Sequence, residues 1–141
     1  MKKSVFMTLN IIIPLFIGMV LYYLLTPDVF FVKIIDRIIN REVHRGEIPL
    51  HSGMLRMLRF YFLDMCWAYA LTFSIHIILG SNTANLWKSY LITVVFSTVM
   101  ELLQLTAFVT GTFDVIDVLC EALAAWIAVF IIKYAYEEAE E

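Results

Sequence analysis

The chain has 141 residues, 62% of them hydrophobic and 16% charged, and its mean hydropathy is +0.84. A soluble domain is about 45–50% apolar and about 25% charged, so these few charges cannot cover a water-soluble globule, and a disordered chain is excluded for the same reason. The net charge of −3 argues against binding nucleic acid through its phosphates, and the length allows a single domain.

A membrane-crossing helix needs about 20 apolar residues. The first such run covers about residues 5–25 and follows Lys2 and Lys3. It is longer than the apolar core of a signal peptide, about 7–15 residues, and lacks a small-x-small cleavage site, so it reads as a retained span. Pro14 and Gly18 lie inside it, which a bundle tolerates when neighbouring helices satisfy the freed backbone. Thr26-Pro27-Asp28 ends the run. Residues 29–43 are then periodic: Phe31, Ile34, Ile35, Ile38 and Ile39 fall on one helical face, and Lys33, Asp36, Arg37, Asn40 and Arg41 on the other. Such a segment suits a helix lying in the membrane interface or packed on its own protein.

Residues 44–49 are loop-like, and Arg56 and Arg59 precede a second apolar run at about 60–79. After Gly80-Ser81-Asn82 the third run covers about 86–108. Val109-Thr110-Gly111-Thr112 makes a tight connection to the fourth run, about 113–134, and the chain closes on an acidic tail, residues 137–141. The predicted fold is all-α: one domain over residues 1–141, an integral membrane bundle of four transmembrane helices with one interfacial amphipathic helix. Membrane lipids are its expected partners, and a homo-oligomer is compatible with the pattern.

Four spans put both termini on one side. Lys2, Lys3, Lys88 and Lys133 fall there, against Lys33, Arg37, Arg41, Arg45, Arg56 and Arg59 on the other. The bare count of basic residues places the termini outside. Four of those six, however, sit on or beside the interfacial segment, where head-group phosphates bind them. Lys2 and Lys3 flank the first span to enter, and the expectation taken here is cytoplasmic termini.

Charges inside a span cost roughly 2.5–3.5 kcal/mol at a helix centre, yet acids recur. Asp64 lies about one turn into the second span, Glu101 about two turns before the end of the third, and Asp114, Asp117 and Glu121 in the first turns of the fourth. All five belong to the leaflet half opposite the termini. Ser97, Glu101 and Gln104 are spaced i, i+4, i+7, and Asp114, Asp117 and Glu121 i, i+3, i+7, each set on one helix face. The two helices are antiparallel neighbours, so these polar stripes can meet. Interhelical hydrogen bonding and helix-dipole capping by Asp114 are structural explanations for part of the set. Arg56 and Arg59 are the nearest candidates for internal partners. Two close carboxylates in a low-dielectric slab do not both stay charged without a cation, which makes Glu101 and Asp117 the pair expected to act together.

Three functional classes follow. An acidic intramembrane site can bind a cationic or metal-bridged lipid, glycolipid or antibiotic group, and its oxygens suit hard cations such as Mg²⁺ or Ca²⁺. Paired carboxylates can do acid–base chemistry on a lipid-linked substrate, although no nucleophile elbow, phosphate loop or HExxH is present. Intramembrane acids can also serve a small proton- or cation-coupled transporter subunit; a polar path running past Ser97 towards His76 and Asn10 would favour that class. His76 itself, about 18 Å along the axis from Asp64, reads as an interfacial histidine. Trp67, Trp87, Trp126, Tyr22, Tyr23, Tyr134 and Tyr136 read as belt or lipid-facing aromatics. Cys66 and Cys120 form no metal or disulfide pattern and read as small buried hydrophobes.

Ser97-x-x-x-Glu101-x-x-Gln104, followed by Gly111-Thr112-Phe113-Asp114-x-x-Asp117 and Glu121, resembles the signature of VanZ-like membrane proteins. Asp64-x-x-Trp67-x-Tyr69-Ala70-Leu71 is similar to that family's preceding helix. The resemblance covers about residues 60–130. Glu121 stands where the family has Asn, Ala124 where it has Gly and Thr112 where it often has Arg, and the family's histidine after the first Asp is missing. The resemblance implies a small bacterial inner-membrane protein with Asp64, Glu101, Gln104, Asp114, Asp117 and Glu121 as its polar site. It also implies a link to tolerance of the glycopeptide teicoplanin, with a glycopeptide or a lipid-linked cell-wall precursor as partner.

The topology has a direct check. In a background lacking Cys66 and Cys120, Ser52→Cys should react with an impermeant maleimide on intact cells and Ser81→Cys should not. The reverse pattern would show that the termini lie outside.

Overall fold

A computed structural model describes residues 3–25, 30–39, 57–106 and 113–137. Helix α1 is Lys3–Leu25 and α2 is Phe30–Ile39. A π-helical turn, Leu58–Phe62, runs into α3, Leu63–Ile78. A 3₁₀ turn, Thr83–Asn85, leads into α4, Leu86–Gln104, and α5 is Val115–Glu137. All regular structure among the described residues is helical. Four helical stretches are long and apolar enough to cross a membrane: α1, Phe60–Ile78, Thr83–Gln104 and α5.

The four spans fall on the four apolar runs, and their ends are set by local hydrogen bonding. Helix α4, the third span, ends at Gln104, because the Leu105 and Thr106 amides turn back to carbonyls three residues earlier. The Thr106 hydroxyl closes the same turn on the Leu103 carbonyl at 2.6 Å. Helix α5, the fourth span, starts at Val115, since Asp114 is its N-cap: Oδ1 accepts the Ile116 amide at 2.9 Å. It extends past residue 134 to Glu137, where Lys133 pairs with Glu137 at 3.6 Å one turn on. Between α3 and α4 the chain reverses through Gly80 at φ 100°, a left-handed conformation that glycine adopts without a Cβ penalty. The Asn82 side chain then accepts the Asn85 amide, and Asn85 Nδ2 donates back to the Leu79 carbonyl at 2.6 Å.

Helix α3 is the hub. It packs on α1, α4 and α5, and α4 and α5 also pack on each other. The largest buried cluster joins Met7, Phe73, Leu86, Ala128, Val129, Ile132 and Tyr136. On α5, the buried Ala124, Ala125 and Ala128 let backbones approach closely, as small residues do in membrane bundles. Helix α1 is peripheral: Met7 is its buried residue, and Gly18 lies against Cys66, where an added Cβ would sit 3.5 Å from the cysteine Cβ. Large apolar side chains such as Phe16, Leu91, Val95 and Leu119 point outward, which is the expected face towards lipid. Trp67, Trp87, Trp126 and Tyr134 are exposed with them.

The amphipathic segment forms a helix over Phe30–Ile39; residues 40–43, and the side chains of Phe31 and Ile39, lie outside what is described. Val32 is fully buried, Ile35 half-buried, and Lys33, Ile34, Arg37 and Ile38 exposed. The Tyr23 hydroxyl donates to Asp36 Oδ1 at 2.5 Å, tying α2 to the end of α1. Tyr23→Phe removes that bond, worth about 1 kcal/mol. A spin label at position 33 should become more mobile while the melting of the spans changes little. Unchanged mobility would mean that other contacts hold α2.

Candidate functional site

The site builds up where α3 begins, α4 ends and α5 begins. Glu101, only 7% exposed, sits near the end of α4. Its Oε1 accepts the Gln104 side-chain amide at 2.6 Å, and its Oε2 accepts the Asp114 backbone amide at 3.2 Å. One carboxylate thus joins the end of α4 to the start of α5. Asp114 caps α5 through Ile116, and Tyr61, from the π turn ahead of α3, brings its hydroxyl to the Asp114 carboxylate. Gln104 and Asp114 therefore have structural tasks within the site.

The remaining acids are less well supplied. Asp64 in the first turn of α3, Glu101 on α4, and Asp117 and Glu121 on α5 lie close enough to act on one another electrostatically. Among the described residues no ion pair reaches any of these four. Arg56 lies outside the described residues, as does the Arg59 side chain. One turn deeper on α4, Ser97 is 2% exposed and sits beside Glu121. Three buried oxygens here make no hydrogen bond of ordinary geometry among the described residues: Ser97 Oγ, Asp117 Oδ1 and Glu121 Oε2; the Ser97 hydroxyl is a donor within reach of the Glu121 carboxylate. Buried polar atoms are nearly always paired, so three orphans in one place mark a site whose polar capacity the fold alone does not use. Among the described residues no three His, Cys, Asp or Glu side chains are disposed to hold a metal ion. The expected Mg²⁺ or Ca²⁺ would need several oxygens converging at about 2.0–2.6 Å, and these carboxylates do not form such a cage.

A second polar cluster lies towards the other end of the bundle. His76, near the end of α3, is completely buried and turns inward to partners on the other helices. Its Nε2 is 3.1 Å from the Tyr136 hydroxyl, and its Nδ1 is 3.4 Å from Ser89 Oγ. Tyr136 is buried too and leaves the expected aromatic belt because its hydroxyl donates to the Ser81 carbonyl. The Lys3 ammonium lies 2.9 Å over its ring centre. Between the two clusters, the Thr72 and Thr93 hydroxyls meet at 3.1 Å. Asn85, Ser89, Thr93, Ser97 and Glu101 are all buried, and each follows the last by four residues, forming one polar stripe along α4. Asn10 does not join it: it accepts from Tyr69 at 2.6 Å and donates to the Phe6 carbonyl.

All six acids and amides expected at the site are thus gathered at one end of the bundle. Tyr61, Thr72, Ser89, Thr93 and Tyr136 are additions that the sequence reading passed over. For Ser89 and Thr93 the four-residue spacing was the available signal; for Tyr61 no sequence signal marks the π turn that aims it. Both cysteines are free, Cys66 buried and Cys120 half-buried. Comparison with protein-family models, with curated proteins and with solved structures finds no match.

The two kinds of polar residue should separate on mutation. Glu101→Ala removes the acceptor for two hydrogen bonds and should cost about 2–3 kcal/mol. Ser97→Ala removes a buried hydroxyl that makes no bond of ordinary geometry and only reaches Glu121, and should cost at most about 1 kcal/mol. Thermal unfolding of both variants in the same bicelles checks this. Equal losses would show that the Ser97 hydroxyl is bonded within the fold.

Proposed function

We propose that this multi-pass membrane protein uses its acidic cluster to take a cationic amine, carried by a lipid, glycolipid or antibiotic group, from the membrane face where α3 and α5 begin. The observation that carries the reading is the trio of unpaired buried oxygens, Ser97 Oγ, Asp117 Oδ1 and Glu121 Oε2, set among carboxylates with no described counter-ion. A primary ammonium has three N–H donors and one positive charge. It can meet the Asp117 and Glu121 oxygens, with the Ser97 hydroxyl oxygen as a third acceptor, and relieve the mutual repulsion of Asp64, Glu101, Asp117 and Glu121 in one step. A bare divalent ion needs a tighter oxygen shell than these residues offer, so a donor-bearing organic cation is the better fit. Glu101, Gln104 and Asp114 frame the site, and Asp117, Glu121 and Ser97 bind.

With the termini in the cytoplasm of a bacterial cell, the site faces the outer leaflet, where envelope amphiphiles and glycopeptides arrive. The residues of the VanZ-like pattern are those that meet in the cluster, which supports proposing membership of that group and a contribution to glycopeptide tolerance.

The test uses the protein in nanodiscs with two amphiphiles of equal chain length, dodecylammonium and dodecyltrimethylammonium. Only the first has N–H donors. Dodecylammonium at a hundred times its Kd should stabilise the wild type by about 2.7 kcal/mol, with the trimethyl compound much weaker. The Asp117→Asn/Glu121→Gln variant should fold and lose the response. An equal response to both amphiphiles, or in the double variant, would remove the site.

A further inference from the structure

We propose that the buried polar stripe of α4 carries protons between the acidic cluster and His76, linking the two faces of the membrane. The inference goes beyond binding at the cluster and shares with that reading only Asp117 and Glu121, here as groups that exchange protons.

The stripe is a series of rungs. Ser97 stands beside Glu121. One turn on, Thr93 meets Thr72 at 3.1 Å. One turn further, Ser89 faces His76 Nδ1 at 3.4 Å, and His76 Nε2 faces Tyr136 at 3.1 Å. Successive rungs are four residues apart, about 6 Å along the axis, which two hydrogen bonds through one water molecule span.

Hydrogen-bond direction fixes the resting state of the far end. The Tyr136 hydroxyl donates to the Ser81 carbonyl, so its oxygen accepts from His76, which places the imidazole hydrogen on Nε2. Nδ1 then holds a lone pair facing Ser89. The Ser89 hydrogen is turned back onto the Asn85 carbonyl at 2.9 Å, as the Thr93 hydrogen can turn onto the Ser89 carbonyl at 3.0 Å. His76 Nδ1 is therefore an acceptor waiting for a proton.

In transfer, a carboxyl O–H of the cluster gives its proton to the Ser97 oxygen. Each oxygen along the stripe, water included, accepts one proton and passes on the hydrogen it held. One proton reaches His76 Nδ1, so a carboxylic acid becomes a carboxylate and the imidazole an imidazolium. The imidazolium releases its Nε2 hydrogen to the Tyr136 oxygen, which hands its own hydroxyl hydrogen to water beside Ser81. Water on the first face refills the carboxylate. No electron moves, and one proton has crossed. The charged and titratable groups around the path are Tyr61, Asp64, Glu101, Asp114, Asp117, Cys120 and Glu121 at the cluster, and Lys3 and Tyr136 around His76.

Packing alone explains this face poorly. On α5, Ala124, Ala125 and Ala128 show how the bundle achieves close approach without polar atoms. A packing stripe requires neither a fully buried histidine with hydroxyls at both nitrogens nor a buried Ser97 hydroxyl set beside the Glu121 carboxylate.

Proteoliposomes with a trapped pH dye, polarised by a potassium gradient and valinomycin, provide the test. The wild type should admit protons faster than empty vesicles. Thr93→Val keeps the side-chain shape and Ser97→Ala removes only the hydroxyl, and each should slow the flux about tenfold or more. Dodecylammonium binding, measured on the same preparations, should persist in Thr93→Val and so reports its fold. Wild-type flux equal to that of empty vesicles overturns the path, as does full flux in both variants. Binding without flux leaves the amine site standing and removes the path; flux that Thr93→Val blocks, without binding, does the reverse.

Discussion

The Glu101 carboxylate is the joint on which the arrangement depends. In hydrocarbon, a polar group must find its partner inside the protein. Glu101 does so across two helices, holding Gln104 on its own helix and the Asp114 amide at the start of α5. That pairing fixes the depth of α5 relative to α4, and with it the depth of Asp117 and Glu121. Because Ser97, Thr93, Ser89 and Asn85 follow Glu101 at intervals of one turn, the same joint aims the whole polar stripe into the bundle. Asp114, once anchored by its own amide, is free to cap α5 with its side chain.

Around this joint the bundle divides its work. Helix α3 touches every other span, so its two polar contributions, Asp64 at one end and His76 at the other, face different neighbours along one rigid element. Helix α5 supplies alanines for close approach in the middle and ionisable or hydroxylic groups at both ends. Helix α1 adds a largely lipid-facing wall whose main tie is to α3. The polar atoms that the fold uses for itself are bonded; Asp117 Oδ1 and Glu121 Oε2 have no bond of ordinary geometry among the described residues. That contrast sets these two acids apart from interhelical glue, which leaves no acceptor empty.

Much of the fold was legible because the bilayer imposes a coarse rule, about 20 apolar residues per crossing, and four runs obey it. The convergence of the acids was legible for a related reason: helical spacing and a tight third-to-fourth connection leave few ways to place Glu101 and Asp117. Helix ends were less legible, because Asp114 as a cap and the turn after Gln104 depend on individual hydrogen bonds. The partners of His76 and Tyr136 were not legible, since a polar residue near a span end has two homes, the head-group region or a partner on another helix. The Ser89–His76 and Tyr136–Ser81 contacts join residues far apart in sequence and decide between them. Serine and threonine in a span are cheap enough to pass unnoticed one at a time; their four-residue period carries the information.

The central claim is that Asp117 and Glu121 are held apart from the fold's own bonding so that a cationic amine can occupy their oxygens. Solid-state NMR on the protein in bilayers measures this directly, through dipolar coupling between an isotope-labelled alkylammonium nitrogen and labelled aspartate and glutamate carboxyl carbons. The account predicts strong coupling to the side chains of Asp117 and Glu121, lost when the two are changed to Asn and Gln, and none to Asp36 on α2. Coupling to lipid alone, or equal coupling to Asp36, would contradict it.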